Sequence, residues 1–153
     1  MTDAFPSRGR LAGIDFGTVR IGIAISDPAR RLASPHANYT RAGPDADARY
    51  FRQLVEEEQI VAFIVGLPVH ASGEESQKSL QCRRFGQWLH SVTGLPVRFF
   101  DERYTSVQAE RSLIAAQMTR KKRKKRRDMV AAQLILAAYL DSPSSAAPGP
   151  LDD

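Results

Sequence analysis

Apolar residues run almost unbroken from Leu11 to Ile14, stop at Asp15, and resume from Ile21 to Ile25. Two such runs joined by Gly17 and Thr18 predict adjacent antiparallel strands over residues 11–16 and 20–26. A third strand over residues 35–40 is expected after the Asp27-Pro28 turn. Residues 41–47 form a connector rich in Gly, Pro and Asp, after which Tyr50, Phe51, Leu54 and Val55 recur at helical spacing. Residues 61–65 are continuously apolar and bounded by Gly66 and Pro68, the signature of a strand buried on both faces. From Glu75 the apolar positions Leu80, Phe85, Trp88, Leu89 and Val92 predict a second helix closed by Gly94 and Pro96.

Residues 97–100 read as a further strand. Thr105 with Gln108 makes a capping-box pattern for a helix whose buried side includes Val107, Ile114 and Met118. Residues 129–140 make the most apolar helix of the chain. The predicted order is β-β-β-α-β-α-β-α-α. Residues 142–153 are rich in Pro, Ser and Ala, the composition of a disordered tail. The expected organisation is a short N-terminal extension over residues 1–9, one α/β domain over 10–141, and the tail.

Composition narrows the functional classes. With 153 residues, 42% of them hydrophobic, the chain suits one domain with its own core. Cys82 has no partner for an internal disulfide, and His36, His70 and His90 lack zinc-like spacing. Neither a signal peptide nor a bilayer-spanning run is expected, so the natural setting is the reducing cytoplasm. Net charge is +5, but it is concentrated. Arg120, Lys121, Lys122, Arg123, Lys124, Lys125, Arg126 and Arg127 are consecutive, whereas elsewhere acids outnumber basic residues. Such density matches the electrostatic footprint of phosphate binding, although a solvated loop or a localisation signal has the same composition.

Against that background Asp15 stands out, because a carboxylate inside an apolar strand requires compensation. Hydrogen bonds from the Gly17-Thr18 turn would suffice; the active readings are an acid holding a divalent metal at the strand end, or a hairpin that brings backbone N–H groups and a hydroxyl to a nucleotide phosphate. Asp101 and Glu102 also stand where an apolar strand gives way to a loop. Side chains alternate along a strand, so at most one of the two faces as Asp15 does. Asp128 shares a helical face with Ala131, Ala132, Ile135 and Tyr139, and the alanines allow close approach to a sheet. Three acids from separate elements suit one or two Mg2+ or Mn2+ ions and phosphodiester hydrolysis. The plainer alternatives are an Asp101–Arg103 ion pair and a helix-terminal role for Asp128. Phe85 and Trp88 fit a core face better than a stacking platform, whereas Tyr104, beside Arg103, is the better base-stacking candidate. Gly66, Leu67 and Pro68 read equally well as a turn ending a strand.

Taken together, Gly13-Ile14-Asp15-Phe16-Gly17 with Arg20-Ile21-Gly22, Val65-Gly66-Leu67-Pro68 with Gly73, Asp101-Glu102-Arg103-Tyr104-Thr105-Ser106, and Asp128 with Ala131-Ala132 and Ile135-Leu136 resemble the YqgF family, also called RuvX. The resemblance spans residues 10–141. It implies a ribonuclease H-like fold related to the RuvC resolvase, with a central five-stranded mixed sheet flanked by helices. It also implies an Mg2+-dependent nuclease that resolves Holliday junctions or matures the 5′ end of precursor 16S rRNA. On that basis Asp15, Glu102 or Asp101, and Asp128 are the metal-binding and catalytic acids. Arg20, Arg103 and Thr105 position phosphate with help from the Gly66-Leu67-Pro68 loop. Two positions depart from the family pattern: Ser106 stands for a second threonine, and Arg127 for an aliphatic residue.

The expected partner is nucleic acid, RNA in preference to branched DNA, with the protein a monomer or homodimer. A module that grips RNA through residues 120–127 without cutting it is the alternative. The Asp-Phe-Gly-Thr hairpin also fits the first phosphate loop of actin- and hexokinase-type kinases, but those enzymes close two lobes over the nucleotide, and this length supplies one.

Overall fold

The computed structural model describes residues 5–68, 76–102 and 120–141, with side chains in the last segment from residue 129 onward. The helix expected from Thr105 and the tail over residues 142–153 lie outside the described residues. Five strands, β1 (Arg10–Asp15), β2 (Arg20–Ser26), β3 (Ala33–Thr40), β4 (Ile60–Leu67) and β5 (Val97–Asp101), form one sheet in the order β3-β2-β1-β4-β5. β1 pairs antiparallel with β2 and parallel with β4, and β5 continues the parallel half. The sheet is therefore mixed, and the carboxyl ends of β1, β4 and β5 lie along one edge.

The helices α1 (Pro44–Glu58), α2 (Gln77–Thr93) and α3 (Arg120–Asp141) complete the described fold. Alternation along the strands divides the apolar residues between two cores. Ile14, Ile23, Phe63, Val65 and Leu67 pack with Phe51, Leu54, Phe85 and Leu89 of α1 and α2. Leu11, Ala24, Ile64 and Phe100 pack with Ala131, Ala132, Ile135, Leu136 and Tyr139 of α3. β4 is buried on both faces, as its unbroken apolar run predicts.

Several boundaries differ from the sequence reading. α3 takes in residues 120–128 as well as the predicted 129–140, so the basic run has helical backbone instead of forming a loop before the helix. Apolar periodicity cannot report a helical segment that has no apolar residue. Leu80 is 45% exposed, and Ser79 and Cys82 take the buried positions instead. Ser76 caps α2 by accepting from Ser79 N–H, and Gly94 ends it in the left-handed conformation. α1 begins at Pro44, so Asp47 belongs to its first turn and not to a connector. Gly66 and Leu67 are strand residues, not a turn.

Candidate metal and nucleic-acid site

Asp15 is the last residue of β1, the central strand, and is half-buried. Its register partner on β2 is Gly22, and the preceding Ile14 is paired with Val65 on β4, so Asp15 ends beside Gly66. Leu11 and Gly13 set its face. Leu11 lies in the α3 core, and a Cβ on Gly13 would come 2.7 Å from Leu136 Cβ and 3.0 Å from the Ala132 carbonyl oxygen. Two residues further on, Asp15 falls on that same α3 face. The carbonyl oxygen of Arg20 lies where a Cβ of Gly17 would be, which lets the hairpin close tightly behind the acid. Arg20, two residues before Gly22, shares the face of Asp15 by register.

The strand pairing also separates Asp101 from Glu102. Asp101 is paired with Leu67 and Phe100 with Gly66. Leu67 belongs to the α1–α2 core, so Asp101, fully buried, ends β5 on the face away from Asp15. Glu102 is half-buried, and its Oε2 lies 3.1 Å from the point a Cβ of Gly66 would occupy, with Ile135 of α3 on the same side. Asp15 and Glu102 thus lie on one face of the sheet, at the same edge and on either side of Gly66, from β1 and the end of β5. Their charge is felt at α2. Burial, then Glu102, pushes the Cys82 thiol up to about 12, an effect opposed by Lys78 and reinforced by Asp15.

Asp128 occupies the α3 position one turn ahead of Ala131 and Ala132; its side chain lies outside the described residues. Ala131, Ala132, Ile135 and Tyr139, the residues expected to share one helical face, are all buried. Arg103, Tyr104 and Thr105, and the side chains of residues 120–127, lie outside the described residues as well. Among the described residues no three His, Cys, Asp or Glu side chains gather as a metal site. Phe85 packs in the core with Trp88 against it, as expected of that helix face. Sequence reasoning did not find why Gly66 is a glycine; the apolar Leu67 that follows it, which extends the strand past the glycine, was the available signal.

The RuvX family, described as Holliday junction resolvase, matches residues 9–142. The chain belongs to the RuvX family. A Rhodopirellula baltica protein named "Putative pre-16S rRNA nuclease" is 50% identical to this RuvX chain over 140 residues, which cover 92% of this chain and 81% of that protein. A Rhodobacter capsulatus protein of the same name is 41% identical over 138 residues, 90% and 87% of the two chains. Among solved structures, T. thermophilus RuvC in complex with a Holliday junction substrate matches over 90% of this chain and 98% of that one, with TM-score 0.56 and 13% identity. Fowlpox virus resolvase with Holliday junction DNA matches over 89% and 99%, with TM-score 0.55 and 12% identity. At such low identity these likenesses speak for the fold, and this RuvX chain has the ribonuclease H-like architecture of the RuvC-type resolvases.

Proposed function

We propose that this protein is a divalent-metal-dependent endonuclease of the cytoplasm that trims the 5′ end of precursor 16S rRNA. Asp15, Glu102 and Asp128 would hold Mg2+ or Mn2+, and Asp101 would serve as a buried structural acid. The observation carrying this reading is that Asp15 and Glu102 share one face at one edge of the sheet, on either side of Gly66. Acids on the face that would meet a phosphate weaken its binding, so a module that only gripped RNA would gain nothing from them. Oxygen donors of this kind suit a hard cation. When bound, such an ion stabilises charge on the phosphodiester and lowers the pKa of water.

The chain's own groups divide the remaining work. Asp15 is fixed by a central strand paired on both sides, which holds its carboxylate in place. Arg20, on the same face, is suited to a phosphate oxygen, and Arg103 and Thr105 are assigned the same task. Tyr104 is assigned a base, and the eight cations of residues 120–127 the flanking phosphate backbone. RNA is preferred to branched DNA because the relatives at 50% and 41% identity carry the rRNA-nuclease name.

The second reading, cleavage of four-way DNA junctions, is favoured by the family's description and by the RuvC-type fold. One assay separates them. Wild type and Asp15→Asn are incubated with precursor rRNA and with a synthetic junction, in Mg2+ and in chelator. The expected result is Mg2+-dependent cleavage of the RNA that Asp15→Asn loses by at least about a hundredfold while still binding. Equal activity of the two proteins would refute the catalytic assignment, and cleavage of the junction alone would replace the substrate. Symmetric junction cutting would further require a homodimer, whereas end trimming needs only a monomer.

A further inference from the structure

Gly66 sits inside β4 with φ outside the left-handed region, so conformational freedom does not explain a glycine there. Glycine in a strand interior weakens the strand, and close approach by other atoms is the usual compensation. Here two different atoms approach. A Cβ would come 2.6 Å from Ile135 Cδ1 and 3.1 Å from Glu102 Oε2. Gly13 makes the contrast clear: the three atoms nearest to its Cβ position all belong to α3, the mark of helix–sheet packing. Gly66 has an acid's oxygen over it as well.

We propose that Gly66 is a positioning residue for the acid pair: its missing Cβ leaves the slot in which the Glu102 carboxylate lies over β4 on the face of Asp15, with Ile135 closing the slot from α3. This rests on the reading of Asp15 and Glu102 as metal-binding acids. A methyl group at residue 66 displaces Glu102 or Ile135, or both. Displacement of Ile135 costs packing; displacement of Glu102 costs the site. The two consequences can be separated, because Ile135→Val removes Cδ1 and relieves only the first.

Mn2+ binding is measured by titration calorimetry, and stability by thermal melting, for wild type, Gly66→Ala, Ile135→Val, Gly66→Ala/Ile135→Val and Glu102→Gln. The double variant is expected to regain the melting temperature of Ile135→Val yet bind Mn2+ some ~10- to ~100-fold more weakly than wild type, the range seen when ligand-orienting groups are lost. Should the double variant fail to fold, Gly66→Ala/Ile135→Ala opens more space and is judged by the same binding comparison. Wild-type Mn2+ affinity in the double variant, with loss in Glu102→Gln, would reduce Gly66 to a packing glycine and leave the metal site standing. Equal Mn2+ binding by Glu102→Gln and wild type would remove the site itself, and the proposal with it.

Discussion

Asp47 is fully buried, yet its carboxylate is held below the ordinary value of 3.8. Burial alone would raise it, but donation from Ala42 N–H at 2.9 Å, Tyr39 Oη at 2.7 Å and Arg41 Nε at 3.1 Å outweighs that effect. The same contact works on Tyr39, whose hydroxyl is pushed up to about 12 by burial first and by Asp47 next. Arg41 also lies over the Phe16 ring and donates its backbone N–H to the Val19 carbonyl, so this cluster braces the hairpin that follows Asp15. Removing the acid leaves Arg41 and Tyr39 without their acceptor, and Asp47→Ala is expected to cost about 3 kcal/mol at neutral pH. Because the folded value is depressed, the contribution is complete above the unfolded value near 3.8 and is lost as pH falls through the lower folded value. Urea unfolding of both proteins should show the gap closing in acid; a constant gap would contradict this account. Cys82 offers a second check. With its thiol at about 12, it should resist alkylation in the native protein at about pH 8 and react once unfolded. Sequence reading assigned Asp47 to a connector because the donors that hold it come from β3 and the loop beyond, which local composition does not reveal. Pro44, three residues earlier, was the available signal for a helix start.

Among the elements, α3 departs most from expectation, and the reason is physical. Its apolar half was legible because Ala131, Ala132, Ile135 and Tyr139 recur at helical spacing and are all buried. Its basic half, residues 120–127, contains nothing for such a pattern to act on. On a helical backbone those residues place like charges four apart, each pair costing roughly 0.2–0.5 kcal/mol. An anionic partner relieves that repulsion. Adding RNA at low salt should therefore increase far-ultraviolet helical ellipticity. Replacing Lys121, Lys122, Lys124 and Lys125 by Gln should remove most of the increase and reduce the salt slope of RNA binding by up to roughly three. An unchanged slope would take the basic run out of the interface. All five strands were legible within two residues, β1, β2, β4 and β5 as apolar runs bounded by Gly, Pro or a charge; β3, with no side chain fully buried, was read from the turn before it and starts two residues earlier, at Ala33.

For the whole molecule, the mixed sheet expected from the family resemblance is the one observed, in the order β3-β2-β1-β4-β5. That Asp15 stood where an apolar strand gave way to a loop was evident from sequence; which of Asp101 and Glu102 shares its face was not. It depends on the register of β5 against β4, and on which core Leu67 and Gly66 face, both properties of strands distant in sequence. No helix among the described residues is long and apolar enough to cross a membrane.

The parallel pairing of β1 with β4 and of β4 with β5 has a consequence for biosynthesis. β1, β2 and β3 are joined by short links and can associate soon after they leave the ribosome, but Asp15 then stands without its counterpart. Glu102 arrives only after β4 and β5 have been added in turn, and α3, which covers that face, comes later still. A truncated or half-synthesised chain therefore presents a folded hairpin and no paired acids. On the assignment proposed above, competence to cut begins only after β5 has been made, so the order of the strands along the chain also sets the order in which the site is assembled.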